Sequence, residues 1–305
     1  VLNIYQPSTL QGLGHRFPYS AIHDRLDFSW PEGRRLAVYL GFNIEHFSLA
    51  EGLGANLGPV SKPPDVLNYM WRDYGNRVGV WRCLDLFEQL QMPTGTLINT
   101  ALYDYCPEVI KAFVDRGDEL IGHGHTNSER QSDMSTEEEL GLLLYCKERI
   151  KKESLVDLSG WLSPWISESL DTPDLLSKAH YKYSLNWCND DQPYRVKTSE
   201  NNSLWAIPYP QELNDIPMIV HRQMDAVDFS QMIIDQFDEM LEQAHHATRP
   251  QSLVMGLALH PYIVGQPYRL RHLRRALSHI HHHKQDIWLT TPGRICEHMQ
   301  SLFSS

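Results

Sequence analysis

Short apolar runs alternate with amphipathic stretches along most of the chain. The runs at 36–42 (LAVYLGF), 96–100, 119–123 (ELIGH), 155–161, 181–187 (YKYSLNW), 203–208, 253–259 (LVMGLAL) and 286–290 (DIWLT) have the length and flanking breakers of buried strands. Helical patterns lie between them. Pro107 and Gly117 bracket one, with Val109, Ile110, Phe113 and Val114 on a single face. Ser135 and Glu138 have the spacing of a capping box ahead of Leu140, Leu143, Leu144 and Ile150. Thr172-Pro173 opens a third. Phe229, Met232, Ile233, Met240 and Leu241 stripe a fourth, and Leu270, Leu273, Leu277 and Ile280 a fifth. Strands alternating with helices predict parallel βα units, and seven or eight units predict a barrel. The expectation is one α/β domain over residues 1–305. Two segments break the alternation. Residues 1–33 read as an N-terminal arm with aromatic anchors Phe17, Tyr19, Phe28 and Trp30. Residues 47–75, rich in Gly and Pro, read as a functional loop directly after the first strand.

Composition narrows the function classes. Of 305 residues, 42% are apolar and 21% charged, as in ordinary globular proteins. The net charge of −11 argues against nucleic acid and against an anionic membrane as partners. The longest apolar run, 253–259, stops at His260 and is far too short for a membrane span. Residues 1–10 lack the basic region and apolar core of a signal peptide, which predicts a cytoplasmic protein. Five scattered cysteines without a CxxC pattern fit a reduced compartment, as small buried apolar residues. Sixteen histidines stand out. Most fall on helix surfaces: the run at 279–283 and the pair His245-His246 read as solvated helix ends.

Barrel enzymes carry their chemistry where strands end, and these strand ends are rich in polar groups. The first runs into Asn43-Ile44-Glu45-His46, the third into His123-Gly124-His125-Thr126-Asn127-Ser128-Glu129. The fourth leads to Trp161-Leu162-Ser163-Pro164-Trp165, the fifth to Asn189-Asp190-Asp191-Gln192. The sixth runs on to Asn214-Asp215. The seventh ends in His260 and continues to Arg269.

In this order the segments resemble the polysaccharide deacetylase superfamily, and within it the branch of the cofactor-independent allantoinases. Asn43-Ile44-Glu45, His123-Gly124, residues 189–194 (NDDQPY) and the His260, Gly265, Pro267, Arg269 spacing carry the resemblance, which spans about 36–291. It implies a distorted (β/α)7 barrel, hydrolysis of a non-peptide carbon–nitrogen bond, and self-association into a homo-oligomer. The departures are specific. Asn43 stands where the superfamily has an acidic base. The four-apart metal-binding pair is His125 and Glu129 here. The Arg-x-Pro segment has become Leu162-Ser163-Pro164.

Two mechanisms follow. In the favoured one no cofactor is used: Glu45 or His125 activates water, and His260 or His123 polarises the carbonyl or protonates the leaving nitrogen. In the other, zinc or another divalent ion sits on Glu45, His125 and Glu129. Asp191 is a further catalytic candidate, with a capping turn as the plain alternative. Asn43, Asn189, Asp190 and Gln192 suit a polar planar imide or ureide, Trp161 and Trp165 could stack on it, and Arg269 could pair with a substrate carboxylate. The substrate expected is a small amide or imide. A metal-dependent deacetylase of an N-acetylated sugar and an inactive binding member of the fold are the competing readings.

Overall fold

The structure is a computed structural model and describes residues 16–50, 52–199 and 204–303. The apolar runs become strands β1 (Leu36–Ile44), β2 (Thr94–Ile98), β3 (Glu119–Gly122), β4 (Gly160–Trp161), β5 (Tyr183–Ser184), β6 (Tyr194–Val196), β7 (Leu204–Ala206), β8 (Leu253–Leu259) and β9 (Trp288–Thr290). Seven run parallel in the order β7-β5-β4-β3-β2-β1-β8, and β9 also pairs parallel with β1. β6 adds antiparallel to β7. β8 covers one edge of β1, so β9 and β2 share the other: Ala37 faces Trp288, and further along Leu40 faces Thr94. Among the described residues no strand pairing joins β7 to β8. Instead residues 207–215 leave β7 and reach β8, where Asn214 bridges Ala258 and the Leu213 carbonyl accepts the Ala258 N–H at 2.9 Å. The result is a curled, distorted α/β barrel.

Alternation along each strand sorts two cores. Leu36, Val38, Leu40 and Phe42 join the core shared with the surrounding helices. Ala37 and Tyr39, with Leu97, Ile121, Tyr183, Trp205, Val254 and Ala258, fill the barrel. Odd positions of β1 and β3 and even positions of β8 therefore face inward. That parity puts Asn43, near the end of β1, at the barrel mouth, and extending it past the strand ends adds Glu45, His123 and His260.

The structure corrects several expectations. β4 and β5 are shorter than the runs suggest. Leu155, left-handed at φ 59°, ends the helix Thr136–Ser154, and pairing starts only at Gly160. Gly160 lies under the Tyr183 ring, where a Cβ would come within 2.0 Å of it. The 47–75 loop ends at Asp65, whose side chain caps the helix Val66–Tyr74. A π-helical turn, Gly75–Gly79, leads on into the helix Val80–Gln89. The first of these helices is inverted: Val66, Leu67 and Met70 are about half exposed while Asn68, Arg72 and Asp73 are buried.

Residues 1–15 of the N-terminal arm lie outside the described residues. Over the rest, Trp30 is buried and donates its indole N–H to the Leu253 carbonyl at 3.0 Å, and Phe17 packs on Trp187. Tyr19 is exposed. Cys188 is exposed, unlike the buried Cys83, Cys146 and Cys296. No helix among the described residues is long and apolar enough to cross a membrane.

Candidate active site

A cavity of about 250 Å³ opens at the C-terminal mouth of the barrel. On its polar side lie Asn43, Glu45, His123, Asn127, Tyr209, His260 and Tyr262. Its apolar side is Phe47, Ala55, Leu162, Trp165, Ile166, Ile216 and Pro217. The volume suits a small molecule or a single projecting group.

Glu45 is the centre. It is 5% exposed and follows β1 directly. Oε1 accepts from the Asn127 amide at 2.5 Å and Oε2 from the Tyr262 hydroxyl at 2.7 Å. His123 Nε2 stands 3.4 Å from Oε1, and His260 Nε2 3.6 Å. Burial alone would push this carboxyl up. The charge of His260 is the largest influence against it and holds Glu45 well below the usual carboxylate range.

Behind His260 lies Asp215, fully buried. One carboxylate oxygen accepts the ring Nδ1–H at 2.6 Å, the other the His260 backbone N–H at 2.8 Å. Burial disfavours a charged imidazole, but Asp215 and Glu45 flank the ring and raise it to about 10. His260 is therefore an imidazolium with Nδ1 committed to Asp215 and Nε2–H directed towards Glu45. His123 is fixed differently. Its Nδ1 lies 2.8 Å from the Leu162 carbonyl, which can only accept, so the Nδ1 proton points there. In the neutral ring Nε2 then carries the lone pair, and it donates to Glu45 only in the protonated ring.

Trp165 and Ile166 form the wall across from these groups with left-handed backbones, φ 62° and 52°. For a β-branched residue this conformation is strained. The indole N–H to the Asn127 carbonyl (2.9 Å) and the Ile166 N–H to the Ser163 carbonyl (2.8 Å) hold the turn.

The sequence candidates divide accordingly. Asn43, Glu45, His123, Trp165 and His260 meet at the cavity. His125 does not. Gly124, at φ 77°, ends the inward alternation, and His125 Nδ1 pairs with the Thr100 hydroxyl at 3.0 Å while the ring packs on Tyr145. Glu129 lies off the cavity, its carboxylate near the Thr126 N–H. Trp161 is core, its indole bonded to Gln131. Asp190 clamps Arg25 of the N-terminal arm with both oxygens, at 2.7 and 2.6 Å, Gln192 ties that arginine to the Ser252 carbonyl, and Asn189 accepts from Tyr194. Asp191 is exposed and Arg269 packs on Tyr268; neither lines the cavity. Asn127, Tyr209, Asp215 and Tyr262 are the site residues that sequence reasoning left unassigned. For Asp215, position beyond a strand end was the available signal; for Tyr262, the i+2 spacing from His260.

A divalent ion, which the resemblance offers as an alternative, does not fit these donors. No group of three or more His, Cys, Asp or Glu among the described residues is placed to hold one. The set Glu45, His125 and Glu129 is not assembled, and both oxygens of Glu45 already accept hydrogen bonds.

No protein-family model matches the chain. A peptidoglycan deacetylase of Helicobacter pylori is 25% identical over 284 residues, 83% of this chain and 93% of that protein. Among solved structures, PuuE allantoinase superposes with a TM-score of 0.80 at 22% identity, covering 95% of this chain and 99% of that one. A probable polysaccharide deacetylase from Pseudomonas aeruginosa PAO1 also superposes with a TM-score of 0.80 at 22% identity, covering 97% and 99%. The fold is that of the polysaccharide deacetylases.

Proposed function

We infer from these likenesses and from the geometry of the mouth that the protein is a hydrolase of non-peptide carbon–nitrogen bonds, and we propose that its substrate is a small amide, imide or ureide. The observation that carries this reading is the buried line Asp215–His260–Glu45 facing a cavity of about 250 Å³.

Amide hydrolysis needs a proton for the leaving nitrogen, a donor for the carbonyl oxygen and a base for water. His260 supplies the acid. Its Nε2–H is charged at neutral pH, and at 3.6 Å it is only loosely engaged with Glu45, so a substrate atom can take that proton. His123 supplies the base: with Nδ1–H fixed on Leu162, the Nε2 lone pair of the neutral ring takes the proton from water. Glu45 then stabilises the imidazolium formed at His123, as it does His260. The Asn127 amide and the Tyr262 hydroxyl keep the carboxylate in place. Asn43, whose side chain is tied to Tyr209 and the Leu259 carbonyl, lines the polar side without an ionisable group.

The sequence likeness to a peptidoglycan deacetylase supports a second reading, in which the group entering the cavity is the acetamide of an N-acetylated sugar. One assay separates the two. Purified protein is offered allantoin, hydantoin, succinimide and N-acetylglucosamine oligomers. Ring opening of a cyclic amide, abolished by Glu45→Gln, is the expected result. Acetate release from the oligomers alone would replace the first reading by the second, and no turnover of any of them would sink both.

A further inference from the structure

Two arginines are buried among the described residues. Arg16 is paired with Asp174, but Arg72 forms no ion pair with a carboxylate of the described residues. Burial opposes its charge, and Asp65 and Glu45 offset this only through space, without a hydrogen bond to the guanidinium. What Arg72 does touch is specific. Its Nη1 donates to the Ala55 carbonyl at 3.0 Å, its guanidinium lies 4.4 Å from the centre of the Phe47 ring, and its Nε has no hydrogen-bond partner among the described residues. Phe47 and Ala55 lie at two points of the same loop, and both line the cavity beside Glu45.

The surrounding loop is built around this contact. Residues 52–58 are fastened at each end: the Leu53 N–H to the Ser128 carbonyl at 2.9 Å, and the Leu57 and Gly58 N–H groups to Asn68 Oδ1 at 2.8 and 2.9 Å. Asn68 and Arg72 stand four residues apart on one helix, so they share its inner face. Arg72 is the middle fastening, under the residue that faces the cavity. The loop closes tightly over it: a Cβ on Gly54 would lie 1.9 Å from Nη1. This accounts for the inverted helix. Its polar face is turned inward to hold the cavity wall.

We propose that Arg72 is a positioning residue that fixes the Phe47–Ala55 wall of the cavity and thereby sets which substrates fit. The proposal rests on the hydrolase reading for its kinetic consequence but not for its structural one. Arg72→Met keeps an unbranched stem but removes the guanidinium with its charge and donors. It should raise KM about tenfold for the preferred small amide with kcat changed less than about threefold, the pattern of lost binding rather than lost chemistry. It should also speed amide hydrogen exchange across residues 52–58 about tenfold or more. Arg72→Lys should restore most of both. Gly54→Ala, which leaves the arginine in the chain and crowds it out of place, should reproduce the KM rise and the faster exchange even if Arg72→Met fails to fold. Wild-type KM and wild-type exchange in Gly54→Ala would overturn the proposal. So would a fall in kcat at constant KM, which would put Arg72 in the chemistry. Exchange needs no substrate, so failure of the hydrolase reading and failure of the strut are told apart.

Discussion

Replacing Asp215 by Asn tests the acid directly. Asp215 holds His260 through two hydrogen bonds, at 2.6 and 2.8 Å, and is the largest influence raising the pKa of its ring, to about 10. Asn keeps the shape and an acceptor but removes the charge. Two unit charges at about 4 Å interact by about 4 kcal/mol at an effective dielectric of about 20. At about 1.4 kcal/mol per pKa unit this is about 3 units, so the ring should titrate near about 7 in the variant. The charged fraction at about pH 8.5 then drops to a few per cent, and kcat/KM should fall about thirtyfold there but only severalfold at about pH 6. Stability should change in the same sense. A raised imidazole contributes stability that is complete below the unfolded pKa of about 6.5 and is lost as pH rises through about 10, so the variant should be the less stable form at neutral pH. The assay is kcat/KM from about pH 5 to 10, with circular dichroism to establish folding. A basic limb that coincides with that of the parent would refute the role given to His260.

Other outcomes follow from neighbouring contacts. Tyr262→Phe removes the hydroxyl that donates to Glu45 Oε2 at 2.7 Å and should lower kcat/KM about tenfold or more, in line with about 1.5–3 kcal/mol for a hydrogen bond to a charged group. Burial raises Glu168 to about 7, although the Asn186 amide donates to it, so its carboxylate increasingly opposes folding as pH rises from about 4.5 past 7. Glu168→Gln should therefore raise the melting temperature at about pH 8, by an amount equivalent to about 2 kcal/mol, and leave it nearly unchanged at about pH 4. Asp191→Asn should leave kcat/KM within about threefold, because Asp191 is exposed and off the cavity; a loss of about a hundredfold would return it to the catalytic set.

Much of the fold is legible because β1 and β8 are unbroken apolar runs bounded by breakers, and because Pro107, Gly117, Ser135 and Glu138 mark helix ends by local chemistry. The helix Val66–Tyr74 is not legible by the same rule. Its apolar residues face solvent and its polar ones face inward, the reverse of the pattern that identifies a buried face. At the site, residues continuing a strand's alternation could be found: Glu45 after β1, His123 after β3 and His260 after β8. Gly124 marks the limit of that reasoning, since one left-handed residue removes His125 from the series. The polar cluster at 189–192 has the composition of a binding site, but its partner is Arg25, more than 160 residues earlier, and no local pattern announces such a pairing. Asp215 is hidden for the same reason: what makes it functional is a histidine 45 residues away.

The chain between β7 and β8 gives Asp215 a second significance. Asp215 does not sit on a strand; it belongs to the segment that spans the gap between the first and last parallel strands, one residue beyond the Asn214–Ala258 bridge. Until that segment docks, His260 lacks the carboxylate that keeps its ring protonated. A chain with every other element in place would still be much less active at alkaline pH. Recovery of activity after dilution from denaturant should therefore trail the recovery of helical signal, which makes turnover a kinetic reporter of the moment the barrel shuts.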